Sequence, residues 1–207
     1  MTLTLDTAEK PWPEIYRRLT EIIQPRPIAL VSTLNQQGEA NLAPFSFYTL
    51  ISCNPPLLAF CPQLAGRTGQ KKDTLRNIEE HSQFVVATVS EAIAEQVNQA
   101  SAPLPYGQSE FDYAGLTPVP AVRIRGQQVL ESPVNLECEL VEIRRYGSEG
   151  GAGTLVVGKI LLMHIREDVL TPAGEVDPDL LQAVGRMGGE DWCRTGDRFS
   201  WSRPDRA

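Results

Sequence analysis

Two stretches carry the residues best suited to chemistry. One runs Asn41-Leu42-Ala43-Pro44-Phe45-Ser46-Phe47-Tyr48 and continues through Ser52-Cys53-Asn54-Pro55-Pro56; the other is Lys71-Lys72-Asp73-Thr74. A phosphate needs cations, hydroxyls and free backbone N–H groups, and a helix N-terminus adds to these. Lys72 and Thr74 sit at one predicted helix start. Asp73 suits a phosphate less well and reads as the helix N-cap or as an acceptor for a ligand hydroxyl. In the first stretch, small hydroxyls stand beside aromatics on an interrupted strand. That combination suits a flat amphipathic ligand bearing a phosphate, with Ala43 and Ser46 leaving room for a ring. The plainer readings stay open: an edge strand with a turn after it, and a solvated helix start.

Other chemistries find little support. The cysteines Cys53, Cys61, Cys138 and Cys193 form no C-x-x-C pair, and His81 and His164 are far apart, so zinc spacing is absent. Isolated cysteines read as small buried hydrophobes. The run Gly147-Ser148-Glu149-Gly150-Gly151-Ala152-Gly153 invites a phosphate-loop reading, but no Lys-Ser/Thr pair follows it and a strand comes next. It reads as a mobile hairpin tip. Glu137 and Glu139 share one strand face, and a solvated face accounts for them. No nucleophile or histidine–carboxylate pattern stands out, so no catalytic side chain and no metal ligand is assigned.

The totals bound the rest. The chain has 207 residues, with 19 Lys plus Arg against 26 Asp plus Glu, a net charge of −7. That balance disfavours a nucleic-acid partner. No apolar run is long enough to span a membrane and the first ten residues lack a signal-peptide pattern, so a soluble cytoplasmic protein is expected.

The elements that must position these residues follow from periodicity. Ile15, Leu19, Ile22 and Ile23 share a helical face after the Pro11-Trp12-Pro13 break, and Pro25-Arg26-Pro27 ends that helix. Ile28–Leu34 and the Asn41 strand read as a hairpin around Asn35–Gly38. Alternation puts Leu42, Pro44, Ser46 and Tyr48 on one side of that strand, and Pro44 marks an edge or a bulge. Leu57–Cys61 and Phe84–Val89 read as buried strands. Helices are expected from Asp73 to about His81 and from Ser90 to about Gln99. A loop of about 20 residues, Ser101–Pro120, holds Tyr106, Phe111 and Tyr113; such loops tend to be functional. It either shapes a site or fills a satellite core. Long strands follow at Leu136–Ile143 and Thr154–Ile165. A short helix near Pro178–Val184 precedes Trp192, Phe199 and Trp201, whose segment should dock on the barrel or on a partner subunit. Six or so mostly antiparallel strands with few helices indicate a mainly β fold, a barrel with flanking helices. A single domain spanning 1–207 is expected, with residues 1–20 as an extension and 171–207 as a tail.

Four segments in order then carry a resemblance. They are Arg26-Pro27-Ile28 leading into Val31-Ser32-Thr33; Asn41 to Phe47 with Ser52 to Pro56; Lys72-Asp73-Thr74 with Asn77-Ile78; and Arg186-Met187-Gly188-Gly189. Together they resemble the flavin reductase-like family of FMN-binding split barrels, over roughly Ile22 to Trp201. The resemblance implies a homodimer of six-stranded antiparallel Greek-key split barrels with FMN near the subunit interface. It implies reduction of flavin by NADH or NADPH, with a monooxygenase or another electron-acceptor protein as a possible partner. Carried over by position, Ser46 and Phe47 contact the FMN, Ser52 lies near its phosphate, Lys72, Asp73 and Thr74 hold the phosphate and ribityl chain, and Arg186 belongs to the flavin pocket. Asn54 stands where the family often has Asp, and Tyr48 where it usually has Phe. A flavoredoxin-like electron carrier and a flavin-free ligand-binding split barrel are the competing readings.

Overall fold

The prolines and glycines that punctuate the sequence fall between elements. The computed structural model describes residues 1–204, so the last three residues of the expected tail lie outside the described residues. Helix α1 (Trp12–Ile22) opens on Pro11 and Pro13, where a missing N–H costs nothing. A two-residue strand β1 (Arg26–Pro27) follows, then β2 (Ala29–Leu34), β3 (Ala40–Phe45), β4 (Tyr48–Cys53) and β5 (Pro56–Phe60). Next come α2 (Asp73–His81), β6 (Gln83–Thr88), α3 (Ala94–Gln99) and α4 (Glu110–Ala114). The short ribbon β7 (Pro118–Pro120) and β8 (Gln127–Val129) leads into β9 (Val134–Arg145) and β10 (Thr154–Ile165). The chain ends with α5 (Pro178–Leu181), β11 (Val184–Arg186) and β12 (Trp192–Arg194).

The main sheet has seven strands in the order β3-β2-β6-β9-β10-β5-β4, every pair antiparallel. Its two outer strands, β3 and β4, are consecutive in the chain and separated only by Ser46 and Phe47. A sheet whose opposite edges are joined by two residues must roll up. The result is a barrel left unclosed between β3 and β4, a split barrel. The expectation of six strands differs by one because the stretch from Asn41 to Cys53 is two strands. Its alternation breaks at Ser46-Phe47, where the chain turns from one sheet edge to the other.

The edge position explains Pro44. The Leu42 amide points away from the ladder and donates to Glu110 Oε2 at 2.8 Å. By the two-residue period, the Pro44 nitrogen lies on the same open edge, where no strand needs its hydrogen. The hairpin between β2 and β3 turns on Asn35, whose Oδ1 accepts from the amides of Gln37 and Glu39.

β2 is buried on both faces and so divides two cores. Ala29 and Val31 join Phe45, Phe60, Phe84, Cys138 and Val156, with Leu75 and Ile78 of α2. Ile28 and Leu30 join Leu42, Val97, Phe111 and Val129. Phe111, from the long loop, is therefore core: it is 1% exposed. Tyr106 lies over Arg76, 5.5 Å from its guanidinium, and Tyr113 is exposed.

Four sequence expectations are corrected. Asp73 is not the N-cap of α2; Lys72 holds that place without a side-chain hydrogen bond, and the Asp73 carboxylate lies 3.6 Å from Arg76. Glu137 is not on a solvated face. It is fully buried, because residues 121–126 fold over that side of β9 and present amides that need an acceptor. Its oxygens accept from the amides of Val122, Arg123 and Ile124 at 2.7, 2.7 and 3.1 Å and meet His164 Nε2 at 2.7 Å. Glu139, two residues on, is exposed. The glycine-rich turn is no free tip, since its amide and carbonyl groups bond to Leu64. Cys53 is exposed rather than buried, on an outer strand of the sheet.

Candidate functional site

The corner that joins β3 to β4 opens into a cleft of about 440 Å³. Asn41, Ala43, Pro44 and Phe45 of β3 form its floor together with Ser46 and Phe47 of the corner. The corner is pinned where the Cys61 amide donates to the Phe47 carbonyl at 2.8 Å. Tyr16 of α1 stands beside Phe47, with ring centroids 6.3 Å apart. Gln63, Ala65 and Gln70 form one wall, and Ala100–Leu104 with Glu110 the other. Lys71, Lys72, Asp73 and Thr74, at the start of α2, complete the lining.

The two ends differ in character. Ala43, Pro44, Phe47 and Tyr16 offer apolar and aromatic surface to a flat ring. At the α2 end, the amides of Asp73 and Thr74 precede the first helical bonds, which run from the Leu75 and Arg76 amides to the Lys72 carbonyl. Lys71 is engaged by Glu79 at 2.6 Å, and Glu79 also pairs with Arg145. Lys72 forms no ion pair among the described residues, so its charge remains available to the cleft. Thr74 is buried and its Oγ1 accepts from Asn41 Nδ2 at 2.9 Å, which leaves the hydroxyl proton free to donate. This end therefore offers a cation and directed donors, the groups an anion needs.

Two carboxyls share that end. Burial raises the Asp73 carboxyl against the pull of Arg76 and Lys72. Burial likewise raises Glu110, opposed by the Leu42 amide and helped by Asp73. Burial also raises the Cys61 thiol, so it stays protonated near neutral pH and is no nucleophile. The Tyr48 phenol is pushed up to about 12, first by burial.

Five of the seven residues singled out from the sequence meet here: Ser46, Phe47, Lys72, Asp73 and Thr74. Ser52 lies along β4, paired with Leu57, and Arg186 lies on β11; neither lines the cleft. The Arg186 guanidinium donates to the carbonyls of Gly189 and Asp191 and stacks 5.4 Å from the Trp192 ring centre. It pairs in register with Arg26, and Arg26 Nε lies 3.4 Å from Ser46 Oγ. Arg26 is itself buried, and its terminal nitrogens donate to the carbonyls of Thr20, Ile23 and Met187 at 2.7, 3.0 and 2.8 Å. Burial and then Arg186 lower its pKa, against an opposing effect of Tyr16. Sequence reasoning missed Asn41, Glu110, Tyr16 and this role of Arg26. Only Asn41 carried a signal, as an amide in the interrupted strand.

Fold and cleft together define a split-barrel protein whose cleft joins an apolar, aromatic side to an end of cationic and hydrogen-bonding groups. Residues 23–187 match the flavin reductase like domain, and the chain belongs to that family. It is 38% identical over 195 residues to an uncharacterized protein of Halalkalibacterium halodurans, covering 92% of this chain and 91% of that one. Nitrilotriacetate monooxygenase component B of Bacillus cereus superposes with a TM-score of 0.91 at 30% identity, over 97% of this chain and 99% of the other. The 2-nitrobenzoate 2-nitroreductase of Pseudomonas fluorescens superposes with a TM-score of 0.87 at 32% identity, over 98% and 96% of the two chains. Among the described residues no helix is long and apolar enough to cross a membrane.

Proposed function

We propose that the cleft holds FMN and that the protein is an oxidoreductase, an NAD(P)H-dependent flavin reductase. One observation carries this reading: a slot of small and aromatic residues ends at an unpaired lysine, a directed threonine hydroxyl and a helix N-terminus. The residues fit the group. Lys72, Thr74 and the first amides of α2 would hold the phosphate. Asp73 and Glu110, as acceptors, suit the hydroxyls of the ribityl chain. Ala43, Pro44, Ser46 and Phe47 would line the ring.

When bound, the flavin supplies a ring that accepts a hydride from a nicotinamide and passes electrons onward. The chain's task is then binding, orientation and exclusion of water. Phe47 and Tyr16 shield one side of the slot. The Ser46 hydroxyl accepts from Arg26 Nε at 3.4 Å, which leaves its own proton free to donate. The two similar structures are named as a monooxygenase component and a nitroreductase, which supports redox work and an acceptor outside the chain.

A homodimer belongs to the same proposal. Leu19, Ile22 and Ile23 of the α1 region, Leu50 and Ile51 of β4, and Phe199 and Trp201 of the tail are all exposed in the single chain. Exposed apolar surface on that scale marks an interface. Light scattering should give twice the 22.8 kDa of the chain; a monomer with FMN bound would refute the dimer.

The activity is tested by following NADH and NADPH oxidation with purified protein and added free FMN. Steady turnover supports the reductase. A protein that keeps FMN bound but turns over neither nucleotide is a carrier instead.

A further inference from the structure

The glycine-rich turn between β9 and β10 stands against the cleft's outer wall. The Leu64 amide donates to the Ala152 carbonyl and the Gly151 amide to the Leu64 carbonyl, both at 3.0 Å. Gln63 pairs with Gly153, and the Thr154 amide donates to the Pro62 carbonyl at 2.9 Å. The turn therefore extends the sheet by a short ladder onto the segment that begins the wall.

Beyond the ladder the two backbones touch. A Cβ on Gly150 would lie 2.2 Å from the Gly66 carbonyl oxygen and 2.8 Å from its carbon, atoms that cannot rotate away. The Trp12 indole fills the remaining side. A Cβ on Gly151 would meet Trp12 Cε3 at 2.7 Å, and one on Gly66 would meet Cη2 at 3.0 Å. Gly66, Gly150 and Gly151 thus form a flat slot that only backbone can line, and the indole is seated in it. Trp12 is the first residue of α1, and Tyr16, one turn later, reaches the cleft beside Phe47. The other side of the slot leads through Ala65 and Gln70 to Lys72.

We infer that Trp12 and the glycine slot of Gly66, Gly150 and Gly151 are positioning elements for the FMN site. The seated indole fixes α1 and the wall at residues 62–72 relative to each other, and so sets the width of the ring slot and the distance to Lys72. This rests on the proposed FMN reading. None of the four side chains or backbones needs to touch the flavin.

The test uses the full chain, with Gly150→Ala, Trp12→Ala and Trp12→Phe beside wild type. Gly150 has no left-handed φ, so its substitution probes contact rather than backbone strain. Three readouts are taken: FMN affinity of the apoprotein, amide hydrogen exchange, and thermal midpoint. Loss of preorganisation should weaken FMN binding about tenfold or more in Gly150→Ala and Trp12→Ala, with Trp12→Phe recovering most of it. Exchange should quicken at Leu64 and Ala65 and stay unchanged in β6. If Gly150→Ala does not fold, Trp12→Ala, which truncates a half-exposed ring, still decides. Unchanged exchange at Leu64, or FMN affinity equal to wild type in the folded variants, overturns the inference alone. Wild-type protein that binds no FMN overturns the proposed function and this inference with it.

Discussion

Replacing Arg26 should damage both the fold and the cleft. Its guanidinium ties the end of α1, through Thr20 and Ile23, to Met187 near the chain's end and to Ser46 at the cleft corner. Charge-assisted hydrogen bonds contribute about 1.5–3 kcal/mol each. Truncation to alanine leaves three carbonyls unpaired; water reaches that of Ile23, which is exposed, but Thr20 is buried. The two carbonyls left without water, at about 1.5–2 kcal/mol each, give about 3–4 kcal/mol for Arg26→Ala. For a chain of this size that corresponds to a fall in melting temperature of about 6–16 °C. Arg26→Lys should recover less than half, because one ammonium cannot donate to both sides of the junction. Thermal denaturation followed by circular dichroism measures this on apoprotein. FMN titration of the same samples should show weaker binding, since Ser46 and Tyr16 lose their common anchor. Arg26→Ala protein melting within about 2 °C of wild type, the scale of a neutral surface change, would refute this view of the junction.

Three other outcomes are expected. Lys72→Ala should weaken FMN binding by about 1.5–3 kcal/mol, roughly ten- to a hundredfold, and Thr74→Ala by less; unchanged affinity in Lys72→Ala would place the phosphate elsewhere. Phe111→Ala should cost about 3–5 kcal/mol of stability with specific activity per folded molecule unaltered, because the ring is core; altered kinetics with a normal melting temperature would contradict this. Burial alone would raise the Glu137 carboxyl, but the amides of Val122 and Arg123 with His164 outweigh it and hold it below the usual range. A lowered folded-state pKa means that its stability contribution is full above the ordinary glutamate value of about 4.3 and is lost as pH falls below it. The stability difference between wild type and Glu137→Gln should therefore shrink as pH falls below about 4; a difference that persists undiminished at lower pH would contradict the assignment.

Local pattern made much of this molecule legible. The β2–β3 hairpin followed from two apolar runs around Asn35–Gly38, α2 from its spacing of Leu75 and Ile78, and β6, β9 and β10 from their alternation or apolar continuity. Ser46, Phe47, Lys72 and Thr74 could be picked out because chemistry and spacing coincide in short segments. What stayed hidden depends on contacts distant in sequence. Alternation along Asn41–Tyr48 says nothing of which partner each half finds, so the split into β3 and β4 at opposite sheet edges was invisible. Glu137 looks like any solvated strand glutamate until residues 121–126 fold over it. Arg26 reads as part of a proline break, although it joins the carbonyls of Thr20 and Ile23 at the end of α1 to that of Met187, 161 residues away. The glycine-rich turn reads as mobile because nothing local shows Leu64, Gly66 and Trp12 waiting beside it.

The most direct test is a paired titration of wild-type apoprotein with FMN and with riboflavin, which differ only in the phosphate. If Lys72, Thr74 and the α2 terminus form a phosphate site at the end of a ring slot, both should bind. FMN should then bind tighter by about 1.5–3 kcal/mol, roughly ten- to a hundredfold. Equal affinities, or no binding of either, would contradict it.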